Sequence, residues 1–300
     1  MNILILGARG FIGSYLINHF LSKECLVVGC DLLEYSSSEY KYHKVSILSS
    51  DFENLFSQYK FDVCLNASGS GNVGYSMASP LSDFEANTVS VAKVLDTIRK
   101  QQPSCKYIHL SSAAVYGNPQ VLPIQENIKL TPVSPYGFHK WMSELLCKEY
   151  FDLYNLRITI LRPFSVYGRG LRKQLLWDIC QKLNDSNEPF LFGTGKETRD
   201  FIHISDLVLI INEIIHKSDF NCEVYNAASG IETSIEEVSK IFSEHYPGEK
   251  RIHFSGELKK GDPVNWRAEI SKIRKLNFQP KVALKEGIID YINYYLNIKN

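Results

Sequence analysis

Residues 2–13 confine the fold more tightly than any other stretch of the chain. Asn2-Ile-Leu-Ile-Leu6 is an apolar run, as expected for a strand buried on both faces of a parallel sheet. It passes without a break into Gly7-Ala-Arg-Gly10-Phe-Ile-Gly13, and residues 14–22 read as a helix with apolar positions at Tyr15, Leu16, Phe20 and Leu21. Glycines between a strand and a helix permit a tight turn and a close approach to the helix N-terminus.

The same alternation continues. Leu26-Val-Val-Gly-Cys30 reads as a second strand ending at Asp31, and residues 32–44 as a polar loop or short helix. Val63-Cys-Leu-Asn-Ala67 is a buried strand followed by a Gly/Ser loop over 68–74. Residues 85–100 read as a long helix, 107–112 as a strand, 135–154 as a second long helix and 157–162 as a strand. Strands alternating with helices over this length predict a doubly wound parallel α/β sheet. After Pro163 turn-rich pieces appear, among them Gly193-Thr-Gly195, Pro247-Gly248 and Gly261-Asp-Pro263. They predict a smaller C-terminal α/β domain that covers a substrate.

Three hundred residues suffice for one large α/β domain or two joined ones. Lys+Arg and Asp+Glu balance at 33 each, so charge gives no reason to expect nucleic acid or an anionic membrane as a partner. The seven cysteines are scattered without a Cys-x-x-Cys pair, which suits a reducing compartment. The first strand follows Met1 directly and no apolar run approaches the ~18 residues of a membrane span. A cytoplasmic protein is the expectation.

The glycine loop can seat a pyrophosphate on the helix N-terminus. Asp31, 18 residues after Gly13, can accept hydrogen bonds from the ribose hydroxyls of an adenosine and repel a 2′-phosphate, which favours NAD over NADP. Arg9 points the other way: it can meet a 2′-phosphate, or simply a phosphate of the cofactor.

Tyr136 and Lys140 are four residues apart on a predicted helix and share a face. Ser112, at the end of a predicted strand, lies 24 residues upstream of Tyr136. A free phenol is a poor base at neutral pH, but a nearby ammonium and an oxidised nicotinamide would favour the phenolate and lower its pKa. Ser112 would share a hydrogen bond with the reacting oxygen. Tyr-x-x-x-Lys alone is a common spacing. With the glycine loop and the strand-end serine it points to hydride chemistry on an alcohol or ketone.

The combination of GARGFIG, Asp31, DFEANT, LSSAAVYG, SPYGFHK, LRPFSVYG, GTGKETRDFIHISDL, VYNAASG and GDPVNWRAEISKIRKLNFQP resembles the extended short-chain dehydrogenase/reductase superfamily, in its NAD-dependent nucleotide-sugar epimerase/dehydratase branch. The resemblance implies an NAD(P)-binding Rossmann domain over 1–166, with a segment near 203–228 returning to it, and a nucleotide-sugar-binding domain over 167–300. It implies Ser112, Tyr136 and Lys140 as the catalytic trio. Cofactor contacts are implied for Gly7, Gly10, Phe11, Ile12, Gly13, Asp31, Ala67, Asn87, Tyr136, Lys140 and Pro163, and substrate contacts for Ser70, Ser112, Ser165 and Arg199. The implied partner is a nucleoside-diphosphate sugar, with no metal. A homodimer built through the helices around 87–100 and 136–150 is also implied.

Members that dehydrate sugars carry an Asp and a Glu after the catalytic Ser or Thr, where this chain has Ala113 and Ala114. A methyl group transfers no proton, so dehydration is disfavoured, and the missing carboxylate at Ala114 weighs against related decarboxylases. Two readings remain. One is a C4 epimerase that passes through a transient 4-keto sugar. The other is an NAD(P)H-dependent reductase of a nucleotide-linked 4-keto-6-deoxy sugar. The trio serves both; Asp31 and the Ser-Ser-Ala-Ala-Val-Tyr-Gly context favour the epimerase. Ser165 stands where relatives often have Asn. Ser46-Ile47 stands where many have Asp followed by Leu or Ile, so an adenine contact is expected to be missing.

Overall fold

A computed structural model describes residues 1–45, 51–257 and 263–299; Ser46, Ile47 and Gly261 lie outside them. The first half runs β1 (Asn2–Leu6), α1 (Phe11–Leu21), β2 (Leu26–Asp31), β3 (Lys41–Lys44), α2 (Asp51–Gln58), β4 (Val63–Asn66), α3 (Val73–Ala78) and α4 (Pro80–Phe84). A π-helical turn, Glu85–Val89, leads into α5 (Ser90–Gln101), then come β5 (Lys106–Leu110), a 3-10 turn (Ala113–Tyr116), α6 (Pro135–Tyr154) and β6 (Ile158–Pro163). The remainder is β7 (Ser165–Tyr167), α7 (Gln174–Asp185), β8 (Phe190–Leu191), β9 (Thr198–His203), α8 (Ile204–Lys217), β10 (Asn221–Ala227), β11 (Glu232–Ser234), α9 (Ile235–His245), β12 (His253–Phe254), α10 (Ser271–Lys275) and α11 (Leu284–Lys299).

Seven strands form one parallel sheet in the order β10-β6-β5-β4-β1-β2-β3. The winding reverses between β1 and β4, so their carboxyl ends open a crevice where open α/β sheets bind ligands. Ile3, Leu4 and Ile5 are fully buried, which explains why β1 is apolar without alternation: helices cover both of its faces. Residues 32–44, expected as loop or short helix, contain β3 instead. Its sequence, Lys-Tyr-His-Lys, is that of a sheet edge, where charge discourages further pairing and hides the strand from a hydrophobicity pattern. The expected helix over 85–100 begins with the π-helical turn.

β10 returns to the edge of the main sheet beside β6, and α8 contributes Leu207, Ile210, Ile211 and Ile214 to the same core as α1. A separate apolar cluster gathers residues of α7, α9 and α11. A three-stranded sheet, β11-β9-β7, joins the two regions. Among the described residues, no helix is long and apolar enough to cross a membrane.

Candidate active site

At the crevice the glycines are demanded by the backbone itself. A Cβ on Gly13 would lie 1.9 Å from the Gly7 carbonyl oxygen, and one on Gly7, at φ +78°, would lie 2.6 Å from the Ala67 carbonyl oxygen. Gly10 caps α1 without offering a side chain to the first-turn amides. Those N–H groups stay open to an anion at the positive end of the helix. Phe11 and Ile12 pack into the core and fix the turn. Asp31 accepts from the Arg9 amide at 2.8 Å and the Leu32 amide at 2.7 Å. The Arg9 guanidinium lies 3.9 Å over the Tyr35 ring. A glycine cradle, an uncapped helix start and a strand-end carboxylate fit a dinucleotide. Ala67 follows β4 directly, and its amide donates to Leu6. Asn87, in the π-helical turn, donates to the Ser70 carbonyl at 3.1 Å, which anchors the 68–74 loop. Its Oδ1 is buried and has no hydrogen-bond partner among the described residues.

The proposed proton-moving residues come together by a close approach of two backbones. Ser134 caps α6 by accepting from the Gly137 amide at 3.2 Å, and the Tyr136 amide donates to Ser76 Oγ at 3.1 Å. A Cβ on Gly137 would lie 2.6 Å from the Ala114 carbonyl oxygen. This glycine therefore lets α6 settle against the turn that begins at Ser112, and the Ser112 hydroxyl lies close enough to the Tyr136 phenol to oppose the rise in its pKa. Gly137→Ala is expected to lower kcat by about 10²-fold through misplacement of the phenol, with a smaller effect on substrate KM; steady-state kinetics checks it.

The neighbouring serines have different tasks. Ser111 donates to Glu144, which grips Arg162 through two further hydrogen bonds, so only Ser112 faces Tyr136. Tyr116 sits in the same buried network, donating to Asn226 and accepting from Arg162, in keeping with a packing role. His109 is likewise a buried, hydrogen-bonded core residue, 2.8 Å from Ser143 Oγ.

Burial governs the electrostatics of the pair. The Lys140 ammonium donates to the Leu110 carbonyl at 2.9 Å, and it does not offset the burial of the phenol. Burial pushes Tyr136 up to about 12, opposed by the Ser112 hydrogen bond and reinforced by the charge of Asp83. Burial also pulls Lys140 down to about 8, against the charges of Asp83 and Glu144. Burial thus makes the phenol a weaker acid than free tyrosine, so less of it is ionised at neutral pH.

The sequence model of the NAD dependent epimerase/dehydratase family matches residues 3–228. The chain belongs to this family. It is 28% identical to a putative UDP-glucose 4-epimerase of Methanocaldococcus jannaschii, with 98% of each chain covered. It is also 28% identical to the UDP-glucose 4-epimerase of Mycolicibacterium smegmatis, with 99% of each covered. Among solved structures it is similar to the UDP-glucuronic acid 4-epimerase of Bacillus cereus in complex with UDP-glucuronic acid and NAD. That match has a TM-score of 0.91 at 25% identity and covers 99% of this chain and 100% of that one.

Within this family frame the expected substrate residues separate into two groups. Ser70 and Ser112 follow the carboxyl ends of β4 and β5, and Ser165 opens β7, next to the expected cofactor residue Pro163 that closes β6. Arg199 lies on β9, where its guanidinium donates to Thr198 and Val264 carbonyls at 2.9 and 3.3 Å and lies over Trp266. One cation escaped the sequence reading. Lys173, just before α7, brings its Nζ to 3.4 Å from where a Cβ on Gly71 would stand. The side chain is accessible, yet desolvation lowers its pKa, the combination expected of a cleft wall. No spacing rule pairs a residue at 173 with one at 71, so only the fold reveals it.

Proposed function

We propose that the protein interconverts nucleoside-diphosphate sugars epimeric at C4, with NAD as its cofactor. The observation that carries this reading is the close approach of α6 at Gly137 to the turn that begins at Ser112, which sets Tyr136 beside Ser112 at the crevice with the glycine cradle, next to two alanines that can move no proton. What NAD supplies when bound is a reversible hydride acceptor. Tyr136 takes the proton of the C4 hydroxyl, and Ser112 holds that oxygen as the carbon becomes trigonal. Lys140 fixes the ribose beside the phenol and adds positive charge. Trigonal C4 has no configuration, so once the sugar turns in the cleft the hydride would come back to its other face, and Tyr136 returns the proton to the C4 oxygen. Gly7, Gly10, Gly13, Phe11 and Ile12 would hold the pyrophosphate, Asp31 the adenosine ribose, and Ala67, Asn87 and Pro163 the walls around the nicotinamide end.

For the sugar nucleotide we assign Ser70, Ser165 and Arg199, and add Lys173 as a second cation for the diphosphate, since a partly desolvated ammonium favours an anionic partner. Lys173→Ala is expected to raise substrate KM by about tenfold with kcat changed by less than about twofold, the signature of lost uniform binding. Initial-rate kinetics reads it.

The decisive experiment pairs mass spectrometry of ligands released on denaturation with incubation of UDP-, dTDP-, GDP- and CDP-hexoses without added NADH. Bound NAD and interconversion of a gluco/galacto pair are expected. Steady NAD(P)H consumption with a 4-keto-6-deoxy sugar, and no interconversion, would move the assignment to the reductase.

We read residues 1–166 with 203–228 as the cofactor domain and the remainder of 167–300 as the sugar-nucleotide domain, supported by the return of β10 to the main sheet. The seven free cysteines support a cytoplasmic location. A homodimer is supported by α6, which exposes Phe138, Met142, Leu145 and Leu153, spaced along one helical face. Leu145→Glu should convert the dimer to monomer in light scattering; a wild-type mass would refute this interface.

A further inference from the structure

Between β7 and α7 the chain passes through residues 168–173, which belong to no helix or strand and end at Lys173. Nothing local holds that end in place. Lys173 stands at the N-cap of α7 without a side-chain hydrogen bond to the helix start. The next residue, Gln174, has φ 66°. Residues other than glycine rarely adopt that backbone region, and they keep it where the surroundings impose it.

Here the surroundings are two helices distant in the sequence. From α1, the Tyr15 hydroxyl donates to the Arg169 carbonyl at 3.1 Å, and the Phe11 ring lies 3.8 Å from where a Cβ on Gly170 would stand. On the other side, the Arg169 guanidinium donates twice to Asp290 of α11, through Nε at 2.7 Å and through Nη2. The buried Tyr291 hydroxyl donates to the Leu171 carbonyl, and Arg172 Nε donates to Tyr294 Oη at 3.2 Å. Tyr294 follows Asp290 and Tyr291 by four and three residues, so all three share one side of α11. We propose that Asp290 and Tyr291 are positioning residues, which hold 168–173 so that the Lys173 ammonium stands over the 68–74 loop at Gly71. The inference rests on the reading of Lys173 as a cation for the diphosphate.

The two contacts act in different ways. Arg169 and Asp290 are 56% and 41% exposed, and an ion pair so open to water adds little to stability. Its bidentate geometry gives direction instead: a planar fork held by both carboxylate oxygens fixes the orientation of Arg169, and the main chain on either side follows. Tyr291 is fully buried, and its hydroxyl serves a carbonyl two residues before Lys173. Removing either contact frees the segment without removing the cation. Lys173 must then be ordered when an anion binds, which costs part of the affinity. The loss therefore depends on the ammonium being present.

The test is a double-mutant cycle read by isothermal titration calorimetry, with UDP as the probe and the full-length protein loaded with NAD. Lys173→Ala is expected to raise the Kd for UDP about tenfold, and Asp290→Ala and Tyr291→Phe about threefold each. In the Lys173→Ala background neither should change Kd by more than about 1.5-fold, because groups that act through one contact are not additive. Asp290→Glu keeps a carboxylate for Arg169 and should bring Kd back to within about 1.5-fold of wild type. Equal losses with and without Lys173, or a wild-type Kd in both Asp290→Ala and Tyr291→Phe, would overturn the proposal. If Tyr291→Phe does not fold, the exposed Asp290→Ala carries the cycle alone. An unchanged Kd in Lys173→Ala would instead remove Lys173 from the diphosphate site, and the proposal with it.

Discussion

Tyr136→Phe is expected to lower kcat by about 10²–10⁴-fold while the protein still carries NAD. Phenylalanine preserves the packing at the start of α6, and the helix caps from Ser134 and Ser76 reach main-chain amides that the substitution leaves in place. Only the hydroxyl disappears. Ser112 keeps its bond from the Ala114 amide at 3.1 Å, so the oxygen that would steady the substrate stays in position. The loss is therefore confined to proton transfer. Burial holds the phenol near 12, which leaves very little of it ionised at pH 7. Its basicity must then be awakened by binding: a positively charged ring adjoining the phenol lowers its pKa, and reduction of that ring removes the effect. The base thus exists when a proton must be taken and becomes an acid when one must be returned. Turnover with a UDP-hexose, set beside native mass spectrometry for retained NAD, checks both halves. Undiminished turnover would discard Tyr136 as the proton carrier.

How far the sequence could lead depended on whether a feature is written in neighbouring residues. The glycine cradle was legible because each glycine answers a local backbone demand, confirmed by the 1.9 Å clash that a Cβ at Gly13 would create. The helix bearing Tyr136 was legible to the residue, since Ser134-Pro135 is a start signal and Asn155, left-handed at φ 56°, is a stop. β3 was missed because an edge strand replaces apolar residues with charge. The π-helical turn at Glu85–Val89 was missed because a single widened turn scarcely alters helical periodicity. The burial of the phenol was not legible, because a spacing of four reports proximity to Lys140 but says nothing of what covers Tyr136. Lys173 beside Gly71 and Arg169 beside Asp290 are contacts between distant parts of the chain, which no local pattern encodes.

Glu144→Ala should destabilise the fold by about 3–5 kcal/mol, the largest stability effect expected of any single substitution near the site. Glu144 and Arg162 are 6% and 5% exposed and meet through two hydrogen bonds, at 2.9 and 2.6 Å. Arg162 reaches on to the Tyr116 hydroxyl and the Glu126 carbonyl, both at 2.9 Å, and Tyr116 to Asn226. Asn226 in turn donates to the Ile124 and Glu269 carbonyls. One network thus ties α6, β6 and β10 to segments far away in the chain, directly behind the serine pair. Deleting the carboxylate leaves a guanidinium buried without its counter-charge, and the neutral partners that remain recover only part of its solvation. Urea unfolding followed by circular dichroism measures the loss, and a change below about 1 kcal/mol would mean that water replaces the carboxylate. The companion double substitution Glu144→Leu with Arg162→Met removes both charges, so it should recover much of that stability. Any deficit in kcat that persists in the refolded double variant then belongs to Ser111, released from Glu144, and through it to the placement of Ser112.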